Sequence, residues 1–108
     1  MTANELAEKL GLERLTGPAD GKAVRGCYVC DLLSLCMSKV QEGDVWITVQ
    51  TNINIVAIAV LTELSWIVVA ENMQVADDVL AKADEEGIMI FRSGKSAYEL
   101  AAAVSKLL

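Results

Sequence analysis

Three near-continuous apolar runs, each followed by a polar turn and a stretch of helical periodicity, constrain this chain more than any other feature. They are Val45-Trp46-Ile47-Thr48-Val49, Trp66-Ile67-Val68-Val69-Ala70 and Ile88-Met89-Ile90-Phe91. A strand wetted on one face alternates apolar and polar residues. A strand covered on both faces does not, and that is the signature of a parallel sheet with helices above and below it. From Val45 onward the order reads strand, helix, strand, helix, strand, helix. Right-handed crossovers then predict an α/β fold: a small three-layer sandwich with a mostly parallel sheet and helices on both faces.

The helix ends are written locally. Thr2 followed by Glu5 forms a capping box that opens a helix to about Leu10, and Gly11 stops it. Ser96 followed by Glu99 repeats the device ahead of a last helix whose core stripe is Ala97, Leu100, Ala101, Val104 and Leu108. Val75, Val79, Leu80 and Ala83 recur at helical spacing opposite Asp77, Asp78, Lys82 and Glu85, and Gly87 ends that unit. Asp31 reads as the N-cap of a helix over 32–41, and Asn52 or Asn54 as the cap of one running to about Leu64. Short strands are expected over 12–16 and 24–29. Residues 16–22 hold the one concentrated patch of turn signals, including Pro18, the sole proline. One domain over 1–108 is expected.

Composition removes several functions. The chain has 108 residues, a formal net charge of −6 and no histidine. An acidic chain of this kind is not built for nucleic acid. The missing histidine excludes the Ser-His-Asp triad, the Cys-His dyad and His-based zinc sites. The first five residues lack a secretory signal, and the longest apolar run, 55–61, is far short of the roughly 20 residues a membrane span needs. Three cysteines, an odd number, favour a reducing compartment over a secreted disulfide framework. A soluble cytoplasmic protein is expected.

Two helices are too apolar for one-sided burial. The segment 53–61 reads Ile-Asn-Ile-Val-Ala-Ile-Ala-Val-Leu, and 32–40 carries Leu32, Leu33, Leu35, Cys36, Met37 and Val40. A helix apolar all round is buried by something beyond its own sheet. A second copy of the chain, giving a homodimer, is expected. The alternative is that the N-terminal segment folds over these helices.

Ligands of open parallel sheets bind beyond the carboxyl ends of the strands. Here those ends lead into Gln50, Thr51, Asn52 and Asn54, then Glu71 and Asn72, then Arg92-Ser93-Gly94-Lys95-Ser96. These polar groups form a candidate site for a small anionic ligand or nucleotide, although Asn, Ser and Thr are also ordinary helix caps. Gly94-Lys95-Ser96 is not a P-loop, because Met89 stands where the motif needs its first glycine. Cys27 and Cys30 carry a two-residue spacing that suits an iron–sulfur or zinc half-site, but with Cys36 the chain holds three thiols where such sites want four ligands. Cys36 lies on the apolar helix and is expected in the core. The acid pairs Asp77-Asp78 and Glu85-Glu86 fall on a solvated helix face. No nucleophile–base pair stands out, and a non-enzyme is expected.

The run Gly26-x-Tyr28-x-x-Asp31-Leu32-Leu33-Ser34, the segment Glu42-Gly43-Asp44-Val45-Trp46-Ile47-Thr48, and Glu85-Glu86-Gly87-Ile88 leading to Ser96-Ala97-Tyr98-Glu99-Leu100-Ala101 together resemble the DRTGG domain family over 26–100. The small stand-alone members with a Gln-Thr-Asn/His turn are the most similar, that turn being Gln50-Thr51-Asn52 here. The naming residues differ: Thr51-Asn52 stand where Asp-Arg would be, and Ala70-Glu71-Asn72 where Thr-Gly-Gly would be. The family is similar to the N-terminal domain of HPr kinase/phosphorylase and to the domain that accompanies CBS nucleotide-sensing modules in regulated pyrophosphatases. The resemblance therefore implies a regulatory or dimerising domain without catalysis. Stand-alone members often neighbour iron-only hydrogenase components. That implies, as an alternative, a hydrogenase-related partner and an iron–sulfur species handled through Cys27 and Cys30.

Overall fold

The computed structural model describes residues 2–17 and 22–108. Helix α1 (Ala3–Leu10) is followed by β1 (Glu13–Arg14), β2 (Gly26–Val29), α2 (Leu33–Lys39), β3 (Asp44–Thr48) and α3 (Asn54–Thr62). Then come β4 (Trp66–Val69), α4 (Asp77–Glu85), β5 (Ile90–Arg92) and α5 (Ala97–Leu107). One sheet runs in the order β1-β5-β4-β3-β2. Strands β2 to β5 are mutually parallel, and β1 adds an antiparallel edge through Glu13↔Arg92 and Arg14↔Phe91. No helix among the described residues is long and apolar enough to cross a membrane.

Every residue of β3 and β4 is buried. Alternate side chains feed two separate cores. Trp46, Ile67, Val69 and Ile90 point to the side where α2, α3 and α4 supply Cys36, Ile55, Ile58, Val79 and Ala83. Val45, Ile47, Trp66, Val68 and Phe91 point to the other side, against Leu6 and Leu10 of α1 and Leu100 and Val104 of α5. This is the three-layer α/β sandwich expected from the continuous apolar runs. It also decides what α1 covers. Helix α1 packs with α5, across the sheet from α2 and α3, so it is not the lid over those helices.

Both predicted capping boxes are present. Thr2 Oγ1 accepts from the Glu5 amide while the Glu5 carboxylate accepts from the Thr2 amide, and Ser96 and Glu99 do the same. Gly11 takes the left-handed conformation at the end of α1 (φ 66°), as a C-terminal glycine should. The turn expected over 16–22 falls partly on 18–21, outside the described residues.

Several boundaries differ from expectation, and the first two strands cover only 13–14 and 26–29 of the expected 12–16 and 24–29. Helix α2 runs only over Leu33–Lys39, and Leu32, not Asp31, stands at its N-cap without a side-chain bond. Asp31 is drawn away because β2 ends beside β3, whose last groups need an acceptor. Helix α3 begins at Asn54, which is its first residue and not its cap. Asn52 performs part of that work from two residues earlier, its Oδ1 accepting from the Asn54 amide at 2.8 Å. The last strand starts at Ile90, two residues later than the apolar run, because the Ile88 amide still closes α4 by donating to the Ala83 carbonyl at 2.8 Å.

Candidate functional site

Four parallel strands end on one edge, so the segments after β2, β3, β4 and β5 are neighbours there. They are stitched together by hydrogen bonds. Asp31 Oδ1 accepts from Thr48 Oγ1 at 2.8 Å and from the Val49 amide at 2.9 Å. Gln50 Nε2 donates to the Asp31 carbonyl at 2.9 Å, and the Gln50 amide donates to Thr48 Oγ1 at 3.1 Å. The Ala70 amide donates to the Thr48 carbonyl, tying the β4 end to the β3 end. The Glu71 and Asn72 amides donate to the carbonyls of Lys95 and Ser93, tying it to the β5 end.

Thr48 explains why Asp31 sits at the centre of this network. It is 1% exposed, a hydroxyl that follows the apolar run Val45-Trp46-Ile47. A buried hydroxyl without a partner costs about 1–3 kcal/mol, and the Asp31 carboxylate supplies the partner. The sequence held a signal for this: a lone polar residue in a fully buried run needs an acceptor nearby. The cap-like position of Asp31 hid it.

Glu71 and Asn72 both adopt left-handed backbone, with φ of 60° and 54°. Two consecutive positive φ angles are what a Gly-Gly pair supplies without strain. Glutamate and asparagine hold that conformation here at a cost in backbone strain that glycine would not carry. Their two amides face the β5 loop, so they do not form an open anion cradle.

The six predicted site residues divide accordingly. Gln50 and Asn52 spend side-chain groups on holding the edge together. Among the described residues, the side chains of Thr51, Asn54, Glu71 and Asn72 make no hydrogen bond within the protein. Gln50, Thr51, Asn52 and Asn54 share the loop into α3, and Glu71 and Asn72 lie on the adjoining loop. Of the two nearby cations, Arg92 is held by Glu13 at 2.9 Å, while Lys95 makes no ion pair among the described residues.

The cysteines fall differently from their spacing. Cys27 packs with the α1–α5 core, and Cys30 with the α2–α4 core, so the two sit on opposite faces of the sheet. They offer no shared coordination point for a metal or an iron–sulfur cluster. Among the described residues no group of three or more potential ligands assembles. Burial pushes the Cys27 thiol up to about 11, with Asp44 adding to the shift. Burial, and next the Cys30 thiol beside it, push Cys36 up to about 12. The Cys36 thiol donates to the Cys30 carbonyl at 3.5 Å, and the Cys30 thiol donates to the Leu32 carbonyl at 3.9 Å.

Two clefts flank α3. One, of about 460 Å³, lies toward α4 and is lined by Ile53, Ala57, Val60 and Leu61 with Lys82 and Glu86 at its rim. The other, of about 300 Å³, lies toward α2 and is lined by Leu33, Met37, Asn54, Ala57 and Ile58. Both are mainly apolar, and they share Asn54 and Ala57.

The sequence matches no family model and no protein of curated function. The structure is similar to that of the CBS and DRTGG domains of the regulatory region of Clostridium perfringens pyrophosphatase, complexed with its activator diadenosine tetraphosphate. The TM-score is 0.76 at 14% identity, over 99% of this chain and 47% of that one. At that identity the likeness is one of fold, and the chain spans about half the length of the matched polypeptide. The DRTGG-like fold implied by residues 26–100 is thus met in three dimensions by a polypeptide that contains a DRTGG domain.

Proposed function

We propose that this chain is a non-catalytic regulatory module, a single DRTGG-like domain that works as a homodimer through the outer face of α2 and α3. The observation that carries this reading is α3 itself. Its inner side fills a core with Ile55 and Ile58, yet Ile53 just ahead of it and Val60 and Leu61 on its other side stay 44%, 42% and 68% exposed. Met37 of α2 continues the patch at 49%. An exposed apolar surface of this kind marks an interaction site.

A second copy suits it best because of charge. Two chains of net charge −6 repel. Helix α3 carries no charged residue and α2 only Lys39, so this is where two copies can approach with least repulsion. A two-fold axis beside Ala57 would set the Leu61 ridge of each copy into a cleft of the other. The fold likeness to a regulatory region supports the same role.

The small anionic ligand or nucleotide sits at the strand ends, on Gln50, Thr51, Asn52, Asn54, Glu71 and Asn72, with Lys95 as its counter-charge. Of the four side chains without internal partners, Thr51, Asn54 and Asn72 face its anionic groups and Glu71 accepts from its hydroxyls, while Gln50 and Asn52 hold their loop in shape.

Native mass spectrometry with ATP as the probe reads both halves. The expected result is a dimer of twice 11.6 kDa that carries ATP, with Leu61→Glu reducing it to a folded monomer. A wild-type monomer at about 10 μM, a concentration a stable regulatory dimer should survive, overturns the association. A dimer that takes up no ATP overturns the ligand half.

A further inference from the structure

We propose that Cys30 and Cys36 are an oxidisable pair, closing an intramolecular disulfide between the end of β2 and the buried side of α2 when the protein meets a peroxide. Cys30 is half-buried and directly follows β2. Cys36 is one turn into α2 and fully buried, with its Sγ 3.5 Å from the Cys30 carbonyl oxygen. That carbonyl is itself fixed by Trp46 Nε1 at 2.9 Å, and the Cys30 amide donates to the Ile47 carbonyl at 3.3 Å. One half of the pair is therefore anchored to β3, and the other rides on a helix packed against the same core. Cys27, although three residues from Cys30, faces the opposite core. The two-residue spacing that the sequence advertises names the wrong partner.

The chemistry divides the roles by exposure. The Cys30 sulfur, partly open to solvent, attacks one peroxide oxygen; the O–O bond breaks, leaving a sulfenic acid, and the other oxygen leaves as water with the Cys30 proton. The Cys36 sulfur then attacks the Cys30 sulfur. The S–O bond breaks, and hydroxide departs as water with the Cys36 proton. Two thiols and one peroxide become one disulfide and two waters. Cys36 is fully buried and out of a dissolved peroxide's reach, so it resolves the oxidised Cys30 and does not itself react first. The bond fixes the helix that carries Leu35 and Met37. Any effect on association rests on the proposed dimer; the disulfide does not.

Trypsin cannot separate the three cysteines, since residues 26–39 form one peptide. Variants can. The full-length reduced protein is treated with hydrogen peroxide, denatured, alkylated and weighed intact. Wild type and Cys27→Ser are both expected to lose two alkylatable thiols and about 2 Da, while Cys30→Ser loses none. A Cys27→Ser protein that keeps both thiols, gains only oxygen, or links two chains overturns the pairing, as does a Cys30→Ser protein that still closes a bond. Should Cys27→Ser fail to fold, fragmentation of the oxidised wild-type 26–39 peptide locates the bridge. A bond joining Cys27 to Cys30 would refute the proposal. Because the readout is a thiol count in one chain, it is independent of whether copies associate.

Discussion

The two helical layers of this protein are held in different ways. On one face, α1 and α5 each open with a complete capping box and present one apolar stripe to the sheet. On the other, α2, α3 and α4 have no side-chain hydrogen bond at any N-cap, and α3 is apolar on all sides. The first layer is specified by short-range signals that would favour the same helices in isolation. The second depends on burial against the sheet, and its outer surface is left over once that burial is satisfied.

The largest expected effect tests whether the two layers are equally essential. Ile58→Ala in α3 and Leu100→Ala in α5 each remove a side chain that is 1% exposed. Each should lose about 2–5 kcal/mol in urea unfolding. A much smaller loss for Ile58 would show that the uncapped layer is loosely packed, and the contrast would then extend from the helix ends to the core.

Ser96→Ala should cost about 1 kcal/mol, because it removes the cap of α5. It should also change the acid response. Hydrogen bonds from the Ser96 amide and hydroxyl hold the Glu99 carboxyl below its usual range, and those of Thr2 do the same for Glu5. A carboxyl whose folded-state pKa is depressed adds stability above the ordinary value of 4.5 and loses it as pH falls through the depressed one. The melting temperature of the wild type should therefore begin to fall below that pH, and less so in Ser96→Ala. An identical pH profile for the two would remove the capping boxes from the account of acid stability.

The smallest effect runs the other way. Ala76 is exposed and already has extended N-cap geometry ahead of α4, with φ −67° and ψ 152°. Ala76→Ser should gain about 0.5–1 kcal/mol by adding the bond this layer lacks. No gain would mean that the first turn of α4 is already satisfied by water.

Much of the fold was legible because its signals are local. Capping boxes, the Gly11 stop and three buried strands each occupy a few adjacent residues, and helix and strand periodicity follows from backbone geometry alone. The candidate edge was legible for a related reason: parallel strands must end together, so Gln50, Thr51, Asn52 and Asn54 were bound to share an edge with Glu71 and Asn72. What each of these residues does there was not legible. Whether Asn52 caps a backbone or meets a ligand depends on which amide lies within reach.

The sequence by itself determined the α/β order, the parallel sheet, the two capped helices and the surplus of apolar surface on α2 and α3. Only the tertiary structure decided how distant pieces meet. It put Asp31 on Thr48 instead of on a helix end, sent Cys27 and Cys30 to opposite cores, brought Cys36 to the Cys30 carbonyl, and placed α1 across the sheet from α2 and α3. The physical reason is reach. Periodicity and capping act over three or four residues, whereas these pairings depend on which strands are neighbours and which face of the pleat a side chain takes, and a shift of one residue reverses that face.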